Sequence, residues 1–156
     1  MNMRSLFIFF FLIINLNILP ANIKTDIGLT PQKAPNGKWG YLDDKGFYKI
    51  RPQFEMALPF KEGLALISVC NKYGFIDEKG KPVIRPQFDE ARSFSESLAA
   101  VMIYDQKSNK KWGFIDKTGN FVVFPQYDDV TDFRDLEAQV KLNGKTLTIN
   151  NTGGYI

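Results

Sequence analysis

No histidine occurs in this sequence, and there is a single cysteine, Cys70. Without an imidazole the chain can build no Ser-His-Asp or Cys-His relay and no histidine-ligated zinc or haem site. One thiol closes no internal disulfide and no cysteine-rich metal cage. Its setting in the apolar run from Leu64 to Cys70 reads as a small, partly buried strand residue rather than a reactive thiol. Charge of neither sign is in excess: 20 Lys and Arg stand against 17 Asp and Glu, a formal +3 over 156 residues. That balance indicates no nucleic-acid partner and no solvating acidic tail. No cofactor is implied.

What is present begins with a leader. Arg4 is the only charge in residues 1–21, and Leu6 to Leu19 is an apolar run interrupted by Asn15 and Asn17. This is the layout of a secretory signal peptide, with a cleavage region near Leu19-Pro20-Ala21. The run of about 14 residues is shorter than the ~20 that cross a bilayer as a helix, so no membrane span is expected in the mature chain. The expected localisation is secreted, periplasmic or cell envelope. The remaining residues suffice to bury a core without disulfides.

Internal repetition dominates the rest of the chain. Lys38-Trp39-Gly40-Tyr41-Leu42-Asp43 returns as Lys72-Tyr73-Gly74-Phe75-Ile76-Asp77 after 34 residues, and as Lys111-Trp112-Gly113-Phe114-Ile115-Asp116 after a further 39. A glycine follows each Asp by three residues, at Gly46, Gly80 and Gly119. Then come Arg51-Pro52-Gln53-Phe54-Glu55, Arg85-Pro86-Gln87-Phe88-Asp89 and Phe124-Pro125-Gln126-Tyr127-Asp128. A phenylalanine (Phe60, Phe94, Phe133) precedes a small or apolar patch at Ala65, Ala99 and Ala138. The five extra residues of the second interval fall at or near Asp105–Asn109, as expected of a surface loop. A decayed fourth copy starts at Asn143, with Thr146, Leu147 and Thr148 in place of Trp, Gly and aromatic. Terminal repeats that face solvent commonly differ in this way. Ile27-Gly28-Leu29 resembles Glu62-Gly63-Leu64, so residues 27–37 read as the closing strand of an incomplete first unit.

These residues resemble the WG (KWG) repeat of bacterial proteins, in which Lys-Trp-Gly-aromatic-Ile-Asp precedes a turn glycine, a Pro-x-aromatic-Asp element and a Phe-x-x-Gly-Leu-Ala element. The resemblance spans about residues 38–153. Tyr73, Phe124 and Leu136 depart from the pattern, as does the fourth copy. The resemblance implies a binding or scaffolding module and carries over no catalytic residue. The organisation expected is a signal peptide at 1–21, a linker or partial repeat at 22–37, repeats at 38–71, 72–110 and 111–144, and a degenerate repeat or cap at 145–156.

Within each unit the hydrophobic period is two, which argues strand. Trp39 and Tyr41 lie on one face, and Gly40 leaves a gap on the other where a further segment can approach. Asp43 and Gly46 suit the first and fourth positions of a type I turn. A second strand is expected to end at Pro52, Pro86 or Pro125, which lack an N–H. A third covers Leu64–Val69, Leu98–Tyr104 and Ala138–Leu142. The expected fold is all-β: an open, solenoid-like antiparallel meander array of about three and a half units of 34 residues, too few to close a propeller. Its open sheet edges are natural places for strand addition, and the polar fourth unit is expected to blunt one of them.

Chemistry-bearing residues are few. The turn carboxylates Asp43, Asp44, Asp77, Glu78 and Asp116 lack the alternating pattern of a calcium loop. Asp89-Glu90 and Asp128-Asp129 could act as acid and base in glycoside hydrolysis, but they recur with the fold and so read as structural corners. Arg51, Arg85, Gln53, Gln87 and Gln126 form the polar series best suited to a carboxylate, sugar or peptide backbone. Trp39 and Trp112 read as core anchors, leaving Tyr48 and Tyr104 as candidates for stacking on sugars. The function expected is that of an exported, non-catalytic module that binds or scaffolds another protein. A cell-envelope glycan binder is the alternative, and a small hydrolase is third.

Overall fold

The computed structural model describes residues 28–156, so the expected signal peptide at 1–21 and residues 22–27 lie outside it. The described residues form strands joined by turns: β1 (Thr30–Lys33), β2 (Trp39–Leu42), β3 (Tyr48–Phe54), β4 (Met56–Ala57), β5 (Ala65–Val69), β6 (Lys72–Ile76), β7 (Pro82–Phe88), β8 (Glu90–Ala91), β9 (Ala99–Tyr104), β10 (Lys110–Ile115), β11 (Phe121–Tyr127), β12 (Asp129–Val130), β13 (Glu137–Leu142) and β14 (Lys145–Asn150). They make four antiparallel sheets, ordered β1-β2-β3, β4-β5-β6-β7, β8-β9-β10-β11 and β12-β13-β14. No helix among the described residues is long and apolar enough to cross a membrane.

The fold is the all-β open array expected, and the turn chemistry follows the sequence. Gly46 N–H donates to the Asp43 carbonyl at 3.0 Å, while the Asp43 carboxylate accepts from the amides of Lys45 and Phe47. Asp77 and Asp116 hold their turns in the same way. The loop at 105–109 is such a hairpin connection too, closed by Asp105. Thr30 to Lys33, within the stretch read as the closing strand of a partial first unit, pairs antiparallel with β2.

The strands differ from expectation in two ways. β3, β7 and β11 run on through Pro52, Pro86 and Pro125 to Phe54, Phe88 and Tyr127. The prolines are tolerated because these are edge strands and because each sits in a bulge: Trp39 pairs with Phe54 but Tyr41 with Ile50, so Gly40 alone stands across from Arg51, Pro52 and Gln53. A Cβ on Gly40 would lie 2.5 Å from the Ile50 carbonyl oxygen. The gap inferred opposite the aromatics is thus filled by the bulged neighbouring strand. The sheets also straddle the repeat boundaries. Each inner sheet joins the closing strand of one unit, with an unforeseen two-residue strand (β4 or β8), to the opening hairpin of the next, giving four strands rather than three.

Cys70 is a further correction. It is exposed, with φ of 51°, in the two-residue turn Cys70-Asn71 between β5 and β6. With φ of 57° at Asn71 this is a type I′ turn, which needs positive φ at both positions, and it puts the last residue of the apolar run outside the strand.

The sheets pack face to face, and one apolar layer fills each interval. Tyr41, Ile50, Phe54, Phe60, Ala65 and Ile67 lie between the first and second sheets. Leu64, Leu66, Phe75, Phe88, Phe94, Ala99 and Val101 lie between the second and third. Leu98, Ala100, Met102, Trp112, Phe114, Val130, Ala138, Val140 and Ile149 lie between the third and fourth. Alternate residues of β5 and β9 therefore serve two different cores, as the pleat requires.

Candidate binding surfaces

Three lysines at one register tie down three recurring carboxylates. Lys38 Nζ lies 3.8 Å from Glu55, Lys72 Nζ 2.6 Å from Asp89 and Lys111 Nζ 2.7 Å from Asp128. The same carboxylates accept backbone N–H groups from the next hairpin, at Asn71, Tyr104 and Asn143. The Asn71 amide is the largest influence drawing the Glu55 carboxyl below its ordinary value, and the Lys111 ammonium is the largest for Asp128. Each carboxylate thereby stitches one sheet to the next. Asp89 and Asp128 are occupied in corners, the geometry expected of a recurring structural element.

A second tie runs between the turns that precede β5, β9 and β13. The Glu62 carboxylate accepts from Ser97 N–H at 3.0 Å, and Glu96 accepts from Asp135 N–H and Leu136 N–H, both at 2.8 Å. Arg92 and Ser95 also donate to the Val130 and Phe133 carbonyls of the following unit. Glu62 and Glu96 recur at the 34-residue spacing, a sequence signal for this ladder, but Glu62-Gly63-Leu64 served in the sequence reading only to align residues 27–29.

Arg51, Gln53, Arg85, Gln87 and Gln126 are all exposed on the edge strands β3, β7 and β11. None of their side chains makes a hydrogen bond or ion pair with another described residue. They recur at one register on the edge strands of three successive sheets. Phe124 takes the third arginine position, is 71% exposed and stacks on Phe121 at 5.4 Å. Trp112 is buried and Trp39 half-buried, whereas Tyr104 and Tyr48 are exposed.

The outer face of the fourth sheet is a surface that the sequence did not single out. Positions that are Leu98, Ala100, Met102, Trp112 and Phe114 on the third sheet are Glu137, Gln139, Lys141, Thr146 and Thr148 here. A cleft of about 540 Å³ on this face is lined in part by Thr131, Arg134, Glu137, Gln139 and Thr148. Among the described residues no group of three or more Cys, Asp or Glu is arranged to hold a metal ion.

The family model described as WG containing repeat matches the chain at residues 39–73, 73–107 and 112–145, well over half its length. No curated protein matches it.

Proposed function

The chain belongs to the family of WG containing repeats, and from that premise we propose that it is a non-catalytic module that binds or scaffolds another protein. One observation carries this reading. The recurring corner carboxylates are engaged in ties within the array, whereas Arg51, Arg85, Gln53, Gln87 and Gln126 are exposed at one register without a side-chain partner among the described residues. Forked guanidinium donors and amides in a line suit an extended peptide or an acidic protein surface. The leader of residues 1–21 supports export, so the partner belongs to the cell envelope or its surroundings.

Phe124 favours a second reading. An exposed ring beside Gln126 could stack on a sugar, with the arginines binding its acidic substituents, which makes the protein an envelope glycan binder.

Photo-crosslinkers placed at Gln53 and Gln87 in the exporting cell test both. The protein-binding reading predicts one recurrent protein adduct that Arg51→Ala plus Arg85→Ala abolishes without altering the circular dichroism spectrum. Adducts to glycan alone would favour the second reading. A hydrolytic activity of the purified protein that a single Asp or Glu substitution removes, with folding intact, would overturn the non-catalytic assignment. Mass spectrometry of the mature N-terminus tests export, with a start near Asn22 expected.

A further inference from the structure

Sheet edges among the described residues are closed in two ways, with one exception. The edge strands β1, β3, β7 and β11 each carry proline, at Pro31, Pro52, Pro82 with Pro86, and Pro125. The edges β4, β8 and β12 are two residues long. Missing N–H groups and short strands are standard ways to refuse another strand. β14 (Lys145–Asn150) is also an edge, yet it has six residues and no proline. The polar residues of the fourth copy blunt the face of the last sheet but not this edge.

The register shows which backbone groups are offered. The two-residue turn Asn143-Gly144 makes Leu142 and Lys145 the closing pair of the β13–β14 hairpin. By antiparallel alternation, the N–H and C=O of Thr146 and Thr148 then point away from β13. The Thr148 carbonyl accepts from Ile156 N–H at 3.0 Å, and Tyr155 bridges Ile149. Among the described residues nothing pairs with that side of β14 from Lys145 to Leu147.

The side chains choose the occupant. Lys145 stands at the register of Lys38, Lys72 and Lys111, each of which has a carboxylate just past the end of the adjoining strand, and among the described residues it has none. A second β14 contains no Asp or Glu to meet it. Leu147 replaces the glycine over which β3, β7 and β11 bulge, so the visiting strand must be straight. We propose that the β14 edge takes an extended, proline-free acidic peptide strand, antiparallel to β14, with its carboxylate paired to Lys145.

The probe is a fluorescein-labelled peptide of about six residues, alternating threonine and valine with one aspartate near its C-terminus. It is titrated against the isotope-labelled protein by anisotropy and amide NMR. Saturable binding is expected, with amide shifts centred on Thr146. Lys145→Ala, or asparagine for the peptide aspartate, should weaken binding at least about fivefold, and the loss should shrink at high salt. Thr146→Pro should abolish binding while leaving the β13–β14 hairpin intact, because the lost N–H faces solvent. The proposal is overturned by no binding at about 1 mM peptide, by shifts centred on β3, β7 or β11, by indifference to Lys145→Ala and Thr146→Pro, or by light scattering showing that a second copy of the chain occupies β14.

Discussion

The third and fourth sheets are built on nearly the same plan and are used differently. Both pair a closing strand with the next opening strand, and both present apolar side chains to the sheet before them. On the far face, Leu98 and the β9 and β10 residues Ala100, Met102, Trp112 and Phe114 are all buried by the next sheet, whereas β13 and β14 offer Glu137, Gln139, Lys141, Thr146 and Thr148. The pleat makes this separation possible, since changing every second residue alters one face alone. The apparent decay of the fourth copy is therefore confined to the face that has no neighbouring sheet among the described residues, while Ala138, Val140 and Ile149 keep the core complete. Leu147 makes the same point about backbone: where no bulged strand crosses, the glycine of the inner copies is not needed.

The comparison breaks most visibly at that glycine. Gly74→Ala puts a Cβ 2.6 Å from both the Ile84 carbonyl oxygen and the Pro86 nitrogen, with backbone on both sides. Urea unfolding should show a loss of about 3 kcal/mol or more. At the matching end position, Leu147→Ala only trims a half-buried side chain and should cost about 1–2 kcal/mol. Exchange of face residues comes next. Ala100→Gln places the terminal residue type in a buried layer and should cost about 2–3 kcal/mol, whereas Gln139→Ala should stay within about 0.5 kcal/mol.

A smaller effect separates two turns of the ladder. Gly63 and Leu136 occupy the same turn position with φ of 87° and 64°. Leu136 is strained there and largely exposed, so Leu136→Gly should raise stability by about 1 kcal/mol, seen as a higher Tm. The smallest effect concerns pH. The carboxyls of Glu55, Asp105, Asp116 and Asp128 lie below their ordinary values, held there chiefly by the Asn71 amide, the Asn109 amide, the Thr118 hydroxyl and Lys111 respectively. The folded state thus favours their ionised forms. Their contribution is complete above about pH 4, the unfolded carboxylate range, and fades as pH falls through the lower folded values. Thermal melts should show Asp128→Asn lowering Tm slightly at pH 7 and converging with wild type near about pH 2.

Much of this fold was legible because its signals are local. Asp43 to Gly46 fixes a turn, the aromatic-Gly-aromatic alternation fixes a strand, and the constant spacing fixes the array. The path through Pro52 was not legible, because a proline normally ends a ladder and only the partner strand shows that a bulge absorbs it. Cys70 was misplaced for a related reason: the hairpin register, set by pairing with β6, decided where the apolar run turned. The Arg51 and Arg85 row could be named from recurrence. The open edge of β14 could not be located, since it depends on which strands have neighbours rather than on any one residue.

The claim that the fourth sheet is a polar end to a stack that could otherwise continue can be tested by reversing its face. A variant carrying Glu137→Leu, Gln139→Ala, Thr146→Trp and Thr148→Phe restores the inner pattern on the outer face. Light scattering across a concentration series should show the variant associating, with a mean mass that rises with concentration well above that of wild type and with unchanged β circular dichroism. A variant that folds and keeps the wild-type mass at every concentration would contradict it.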